Sequence, residues 1–176
     1  MADLNEYLRL KRDAVKAVQA AALAPGYEPT RLRAEVTAEG RSGVRRIRIR
    51  DFQVLTDSPP AMVGYDLGPS SPELALGALG SCLTHSYLIQ AAVLGVPVTT
   101  LAVEVTGQMD GRAGQDGYAD IPGYPHELAY TVKIDSPASD RDLAALFEAV
   151  EQYCPILNLL RRPQTITGSV RRVAAP

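Results

Sequence analysis

The sequence predicts an α+β fold with antiparallel strands and one long, buried central helix. Three observations support this class: strand-like alternation over 31–56, an apolar helical segment over 72–94, and a second set of strands that ends in an amphipathic helix near 153. The resulting order is strands, a central helix, strands, a helix and a strand. At 176 residues the chain is long enough for one domain with a sizeable core.

The first element is a helix predicted over residues 2–23. Its leucines and valines recur at helical spacing among charged residues, and Pro25-Gly26 ends the pattern. This helix has one apolar stripe and precedes the strand region. We therefore expect an N-terminal helical extension over 1–26 and a main domain over 27–176.

Antiparallel strands with one solvated face are predicted over 31–56. Leu32, Ala34 and Val36 alternate with polar residues, and a glycine turn over 40–43 separates them from an arginine-rich second run. Alternation bounded by glycine is typical of hairpins in sheets. An irregular connection over 58–72 follows.

The central helix is predicted from about Pro72 to Leu94. Pro72 suits a first helical turn, and Glu73 favours the positive end of the helix dipole. The segment is apolar nearly all round, so we expect it in the middle of the protein. Gly77 and Gly80 would let another backbone approach closely.

The remaining elements alternate between strand and helix patterns, with Ser139 as the expected N-cap of the amphipathic helix. In chain order they are a strand over 98–107, a glycine- and aspartate-rich loop over 107–125, a strand over 127–134, a helix over 140–153, a short turn or helix over 155–160 and a last strand over 164–173.

Composition narrows the function classes. A formal net charge of −2 argues against a nucleic-acid partner, and no apolar stretch is long enough to suggest a membrane span. The N-terminus lacks the basic start and apolar segment of a secretory signal. Two cysteines in such a chain indicate a reducing compartment, and the expected location is cytoplasmic.

The two cysteines, Cys82 and Cys154, are the residues that suggest chemistry. One buried cysteine is usually a small apolar residue, but a pair held on helices suggests thiol–disulfide exchange. A reactive thiolate needs a lowered pKa, whereas burial raises it, so a cation must lie nearby. The candidates are the arginines of the strand region: Arg41, Arg45, Arg46, Arg48 and Arg50.

Each of these charged residues also has a structural interpretation. Most of the arginines are expected on a solvated strand face. Glu73 either compensates the helix dipole or holds an arginine side chain beside the sulfur, and the sequence leaves both roles open.

The motif Gly68-Pro-Ser-Ser-Pro-Glu-Leu-Ala-Leu-Gly-Ala-Leu-Gly-Ser-Cys82, together with the distant Gln152-Tyr-Cys154-Pro, resembles the OsmC/Ohr family of osmotically inducible and organic hydroperoxide resistance proteins. The resemblance covers roughly residues 31–173. It implies an interlocked homodimer whose helices are wrapped by sheets from both chains, with active sites at the interface.

The resemblance also implies a function, a thiol-dependent peroxidase that reduces organic hydroperoxides. Cys82 would be the peroxidatic thiolate that becomes a sulfenic acid, and Cys154 the resolving cysteine that forms a disulfide with it. An external dithiol would reduce that disulfide, and no cofactor is required. An arginine paired with a glutamate would stand beside the sulfur: Arg41 is the first candidate and Arg50 the second, with Glu73 as partner.

Glu73 stands nine residues before Cys82, as in the OsmC-like branches, whereas the hydroperoxide-resistance branch has ten. The apolar setting of Cys82 favours bulky organic peroxides over hydrogen peroxide. For the cycle to operate, the two cysteines must come within disulfide reach.

Two other functions compete with this hypothesis. Cys82, Cys154, His85 and His126 are potential metal ligands, but they lack the close pairing of zinc modules, and His85 is better explained as a core histidine or a neighbour of the sulfur. The second is a domain without peroxidase activity that binds an apolar small molecule, with the central helix and the 107–125 loop forming the pocket.

Overall fold

A computed structural model describes residues 4–172 and contains helices and small antiparallel sheets. The helices are α1 (Leu4–Ala22), α2 (Ser71–Leu94), α3 (Asp140–Tyr153) and α4 (Pro155–Arg161). The strands are β1 (Glu35–Ala38), β2 (Arg45–Ile49), β3 (Phe52–Thr56), β4 (Thr100–Gln108) and β5 (His126–Asp135). This arrangement confirms the predicted α+β class. Residues 2, 3 and 173, included in the predicted elements, lie outside the described range.

The three-stranded sheet has order β1-β2-β3 and is amphipathic. Its register places Val36 opposite Ile47 and Ile47 opposite Val54, with Ile49 opposite Phe52. Because side chains alternate across a strand, these residues form one apolar face. The other face carries the row Glu35, Arg48 and Gln53. Within the described chain the apolar face has no helix packed firmly on it.

Strands β4 and β5 form a second sheet that packs on α2. They are joined by the long loop over 109–125, and the register shifts between Thr106 and Gln108. Gly80 on α2 makes this contact close, since a Cβ there would lie 3.3 Å from Cγ2 of Val105. Gly77 has nothing within 4 Å of the same position.

Helix α2 begins with a capping box and ends in a left-handed glycine. The Ser70 hydroxyl accepts from the Glu73 backbone N–H, and the Glu73 carboxylate accepts from the Ser70 backbone N–H at 2.7 Å. Gly95 closes the helix at φ +73°. Only part of the surface of α2 is buried: Leu83 and Ala92 are inaccessible, whereas Ala78 and Val93 are exposed. The expectation of burial all round is therefore not met within one chain.

The core lies between the helices and the β4-β5 sheet, and its fully buried members include Leu83, Val98, Leu146, Val150 and Cys154. Helix α1 covers one side of α2 through Leu8. Two polar contacts fix it there: Arg12 Nε donates to the Ala92 carbonyl at 2.6 Å, and Asn5 Oδ1 accepts from the Val98 N–H at 2.9 Å.

The strand predicted over 164–173 is wrong for the residues that are described. Residues 164–172 are irregular, and Ile166 and Val170 are exposed. Alternation describes side-chain character, but a strand also needs a neighbour for its backbone hydrogen bonds, and no strand between residues 4 and 172 pairs with this segment. No helix of the described chain is long and apolar enough to cross a membrane.

Candidate functional site

Cys154 occupies the junction between α3 and α4. Its backbone N–H donates to the Val150 carbonyl at 2.9 Å, which ends α3, and its own carbonyl accepts from the Asn158 N–H at 3.1 Å, which starts α4. Pro155 suits the first position of α4, where no backbone donor is needed. The sequence Cys-Pro therefore produces a sharp turn that holds Cys154 fully buried.

The Asn158 side chain secures this turn. Its Nδ2 lies 2.9 Å from the Cys154 carbonyl and 3.2 Å from each of the Glu151 and Gln152 carbonyls. These oxygens belong to the end of α3, where carbonyls lack helical partners. The amide thus fixes the direction in which Cys154 points.

The two cysteine sulfurs are in contact. Cys154 Sγ lies 3.6 Å from Cys82 Sγ, although 72 positions separate the residues, and both thiols are free. A disulfide requires about 2.05 Å between sulfurs, so a rotamer change with a small helix shift would bridge them. Cys82 is only partly buried, whereas Cys154 is inaccessible.

Burial raises the pKa of the Cys82 thiol, and contact with the Cys154 sulfur raises it further. Two donors oppose this effect: the backbone N–H of Ile156 in the first turn of α4, and the hydroxyl of Ser86 one turn along α2. The net effect favours the neutral thiol at neutral pH. A thiolate at Cys82 at neutral pH would therefore require a further positive charge nearby.

Beside the Cys154 turn lies a cluster formed by Tyr130 on β5, Glu151 on α3 and Arg161 at the end of α4. The Tyr130 hydroxyl and the Arg161 guanidinium both donate to the Glu151 carboxylate. Burial opposes ionisation of Glu151, but the hydrogen bonds from Arg161 and Tyr130 outweigh it and lower its pKa. Burial, then hydrogen bonding to Glu151, raises the pKa of Tyr130.

This cluster borders a cavity of about 570 Å³ between α2, β5, α3 and α4. Leu79, one turn before Cys82, and Leu157, one turn after Cys154, contribute to its lining. Leu128, Phe147 and Leu160 make the rest of the wall largely apolar. The cavity thus adjoins both segments that carry cysteine.

The other predicted site residues do not meet the sulfurs. Glu73 forms the capping box with Ser70, which lowers its pKa, and it has no arginine partner among the described residues. Arg41 is exposed in the β1-β2 turn, and Arg50, at φ 55°, lies over the Phe52 ring. Within the described chain no arginine is hydrogen-bonded to either sulfur.

Neither histidine is hydrogen-bonded to a cysteine sulfur in the described part of the chain. His85 is on the exposed side of α2, which differs from the expected core position; partial burial and the charge of Lys11 lower its pKa. His126 has a buried Nε2 without a hydrogen-bond partner. Among residues 4–172 no group of three or more His, Cys, Asp or Glu side chains is arranged to hold a metal ion.

Ser86, Ile156 and the Tyr130–Glu151–Arg161 cluster are not among the site residues that the sequence predicts. Ser86 stands four residues after Cys82, a helical neighbour spacing that could have been noticed. The backbone donor of Ile156 and the hydroxyl of Tyr130 have no such signal, because tertiary packing alone brings them here.

Comparison with known proteins agrees with this fold. The family model described as OsmC-like protein matches residues 64–169. A search of curated protein sequences finds no match. The OsmC-like protein from Mycoplasma pneumoniae is similar in structure, with a TM-score of 0.64, 19% identity, and coverage of 76% of this chain and 89% of that one.

Two further structures carry names connected with organic hydroperoxide resistance. The Vibrio cholerae protein has a TM-score of 0.55 and 19% identity, covering 78% of this chain and 89% of its own. The Legionella pneumophila protein has a TM-score of 0.55 and 14% identity, covering 77% and 92%. Identities this low show a shared fold. The family model matches more than half of the chain, which confirms the resemblance, and the chain belongs to the OsmC-like protein family.

Proposed function

We propose that the protein is a thiol-dependent peroxidase that reduces organic hydroperoxides through a peroxidatic Cys82 and a resolving Cys154. The 3.6 Å contact between the two sulfurs is the observation that carries this proposal. Family relatives named for hydroperoxide resistance support the substrate class.

The reaction has three steps. The Cys82 thiolate attacks the peroxide, the O–O bond breaks, Cys82 becomes a sulfenic acid, and the departing alkoxide takes a proton to give an alcohol. The Cys154 thiolate then attacks the Cys82 sulfur; the S–O bond breaks, and the released hydroxide takes a proton to become water. An external dithiol reduces the disulfide by exchange, so two electrons pass from dithiol to peroxide.

The apolar cavity supports a preference for bulky organic peroxides over hydrogen peroxide. An alkyl group held near Leu79 and Leu157 would gain about 0.8 kcal/mol per buried methylene. Hydrogen peroxide has no such group. Rates with cumene hydroperoxide and with hydrogen peroxide should therefore differ, with the organic peroxide reduced faster.

We further propose that the protein acts as a homodimer in the cytoplasm, with 27–176 as the OsmC-like domain and 1–26 as a helical extension. This assembly is supported by the apolar face of the β1-β2-β3 sheet, on which no helix of residues 4–172 packs firmly, and by the part of α2 that remains open to solvent. A second copy would cover them, and its sheet would bring a cation to Cys82. Arg41 is the first candidate and Arg50 the second, with Glu73 as the acidic partner.

The catalytic test measures reduction of cumene hydroperoxide and hydrogen peroxide with dithiothreitol as reductant. Cys82→Ser should abolish turnover, and Cys154→Ser should allow one oxidation and stop at the sulfenic acid. Arg41→Ala should slow the first step and move its acceleration to higher pH, because loss of the cation leaves the raised pKa of Cys82 uncorrected. Unchanged peroxide reduction by Cys82→Ser would reject the proposal.

The assembly is tested by sedimentation at micromolar concentration. The wild type should be a dimer, and Val54→Asp on the apolar face of the sheet should dissociate it. Gln53→Glu, on the opposite face of the same strand, is the matched control and should leave the dimer intact. A monomeric wild type would contradict the proposed assembly.

The cavity also supports a second candidate function, in which the domain binds an apolar small molecule without peroxidase activity. Such a protein would bind an apolar fluorescent probe, and Leu157→Trp would weaken this binding by filling the cavity. Its thiols would remain reduced with stoichiometric peroxide. That last result separates the two functions.

A further inference from the structure

The geometry of the cysteine pair also suits a chemistry other than peroxide reduction. The sulfurs of Cys82 and Cys154 lie 3.6 Å apart, and both thiols are free. A disulfide would shorten this distance to about 2.05 Å. An atom bonded to both sulfurs, with bonds of about 2.3 Å and an angle of about 100–110°, would hold them about 3.5–3.8 Å apart. The two sulfurs therefore stand at the separation that a bent bridge of one atom requires.

The number of available ligands selects the bridging atom. Zinc takes three or four protein ligands, but no group of three or more His, Cys, Asp or Glu side chains in residues 4–172 is arranged to hold a metal ion. Monovalent copper binds two thiolates in a line, and at the same bond length a linear bridge would need about 4.6 Å between the sulfurs. Trivalent arsenic forms three bonds in a pyramid. It takes two thiols and brings its own third group, so a pair of cysteines is enough.

The surroundings of the pair indicate which third group fits. The cavity of about 570 Å³ adjoins both cysteine segments through Leu79 and Leu157, and its wall is largely apolar. A carbon group on arsenic would gain free energy by leaving water for this cavity, whereas a hydroxyl group would lose its hydrogen bonds to water. Burial raises the pKa of the Cys82 thiol and so favours its neutral form. A neutral thiol suits this chemistry, because its proton leaves as part of a water molecule.

We propose that Cys82 and Cys154 together bind trivalent organic arsenic compounds, with the organic group in the apolar cavity. Cys82 is the more accessible thiol and reacts first. Its sulfur forms an S–As bond, an As–OH bond breaks, and the hydroxyl leaves with the thiol proton as water. Cys154 replaces the second hydroxyl in the same way and releases a second water. Arsenic stays trivalent and neither sulfur is oxidised, so the reaction needs no oxidant or reductant.

The experiment uses phenylarsine oxide, which in water carries two hydroxyl groups on its arsenic atom. The full-length reduced protein is mixed with one equivalent, an excess of glutathione is added, and the intact mass is measured. The wild type should retain one phenylarsenic group per chain and lose two thiol hydrogens. Cys82→Ser and Cys154→Ser should bind about 10²- to 10⁴-fold more weakly, because they lack the second, intramolecular bond. Cys154→Ala replaces Cys154→Ser if a buried hydroxyl prevents folding.

A pair of neighbouring leucines tests the place of the phenyl group. Leu160 lines the cavity and Leu159 does not, and their exposures are similar at 50% and 48%. Leu160→Trp should narrow the cavity and weaken binding of phenylarsine oxide about tenfold, whereas Leu159→Trp should match the wild type. Arsenous acid has no carbon group, so neither variant should change its binding. Affinities are compared by competition with dimercaprol.

The outcomes separate this site from the peroxidase, which it does not depend on although both use the same sulfurs. If phenylarsine oxide is retained but peroxide leaves both thiols reduced, the peroxidase proposal fails and the arsenical site stands. If peroxide forms the disulfide but the serine variants retain phenylarsine oxide as well as the wild type does, the arsenical site fails and the peroxidase stands. An arsenic atom shared between two chains would also overturn the site. Equal effects of Leu160→Trp and Leu159→Trp would overturn the position of the phenyl group.

Discussion

The helical part of the molecule and the β1-β2-β3 sheet differ in how they bury their apolar residues. In the helical part, four side chains are inaccessible to solvent. Leu83 lies on α2, Leu146 and Val150 lie on α3, and Cys154 lies at the junction of α3 and α4. In the sheet, Val36, Ile49, Phe52 and Val54 are exposed on one face. The first region is stabilised by contacts within the chain, whereas among residues 4–172 no helix packs firmly on the apolar face of the second.

This difference separates two parts of the proposed chemistry. The sulfur pair lies in the region that packs by itself, so its 3.6 Å contact is a property of one chain. The candidate activating arginines lie in the sheet region, away from the sulfurs. We therefore expect the disulfide to depend on a single chain and activation of Cys82 to depend on the assembly.

The largest effect should come from matched valine truncations in the two regions. Val150→Ala removes two methyl groups from a fully buried site and should lower the free energy of unfolding by about 2 kcal/mol. Val54 is 37% exposed in one chain, so Val54→Ala should cost under about 1 kcal/mol when the protein is dilute. Urea denaturation at several protein concentrations measures both.

The dependence on concentration identifies what covers the sheet. If a second copy packs on it, the cost of Val54→Ala should increase with protein concentration, while that of Val150→Ala should stay constant. If the two variants lose the same free energy of unfolding at every protein concentration, the helical part and the sheet do not differ in how their apolar residues are buried.

The segment that connects the β1-β2-β3 sheet to α2 should contribute to stability by an intermediate amount, and this contribution should depend on pH. The Asp57 carboxylate is buried and accepts backbone hydrogen bonds from Ser58, Tyr65 and Leu67. The bond from Ser58 is the chief cause of its lowered pKa. A carboxyl group with a lowered native pKa stabilises the fold above its unfolded pKa of about 4, and this contribution is lost as pH falls through the native value.

Asp57→Asn should therefore lower the thermal midpoint at neutral pH and reduce the further loss seen on acidification below about pH 4. Asp66→Asn, at an exposed position in the same connection, is the matched control. Thermal unfolding between neutral and acidic pH measures the effect. An acid dependence that is unchanged in Asp57→Asn would show that these three hydrogen bonds do not stabilise the connection.

The smallest effect should come from two glycines on α2. Gly77→Ala places a methyl group in open space and should stabilise the helix by about 0.5–1 kcal/mol. At Gly80 the same methyl group would press on Val105, so Gly80→Ala should gain less or nothing. Denaturation of dilute protein measures the difference. Destabilisation by Gly77→Ala, together with loss of the dimer, would indicate that the second copy approaches α2 at Gly77.

The sequence predicts those elements that depend on local patterns. The structure confirms the helix predicted from the apolar run of α2, with Pro72 in its first turn, and the Ser139 cap of α3. These features are predictable because caps and helical periodicity depend on residues that are close in sequence. The strand predicted over 164–173 is wrong for the described residues, because alternation in a sequence does not show whether a distant strand is available for pairing.

The candidate site shows the same division. The motifs single out Cys82 and Cys154, whose sulfurs are in contact in the structure, and the Cys-Pro step explains the turn after α3. Burial of His85 was predicted from an apolar helix, but one chain leaves that side of α2 open. The Arg161–Glu151 pair required the helix turn at Cys154, which brings two residues ten positions apart into contact.

Mapping the oxidised cysteines tests the central claim most directly. The fully reduced protein is treated with one equivalent of cumene hydroperoxide, and the product is digested without reduction and analysed by mass spectrometry. We expect an intramolecular disulfide between Cys82 and Cys154, with the loss of two hydrogens from the chain mass. Two unmodified cysteines, or a disulfide that forms only between chains, would contradict it.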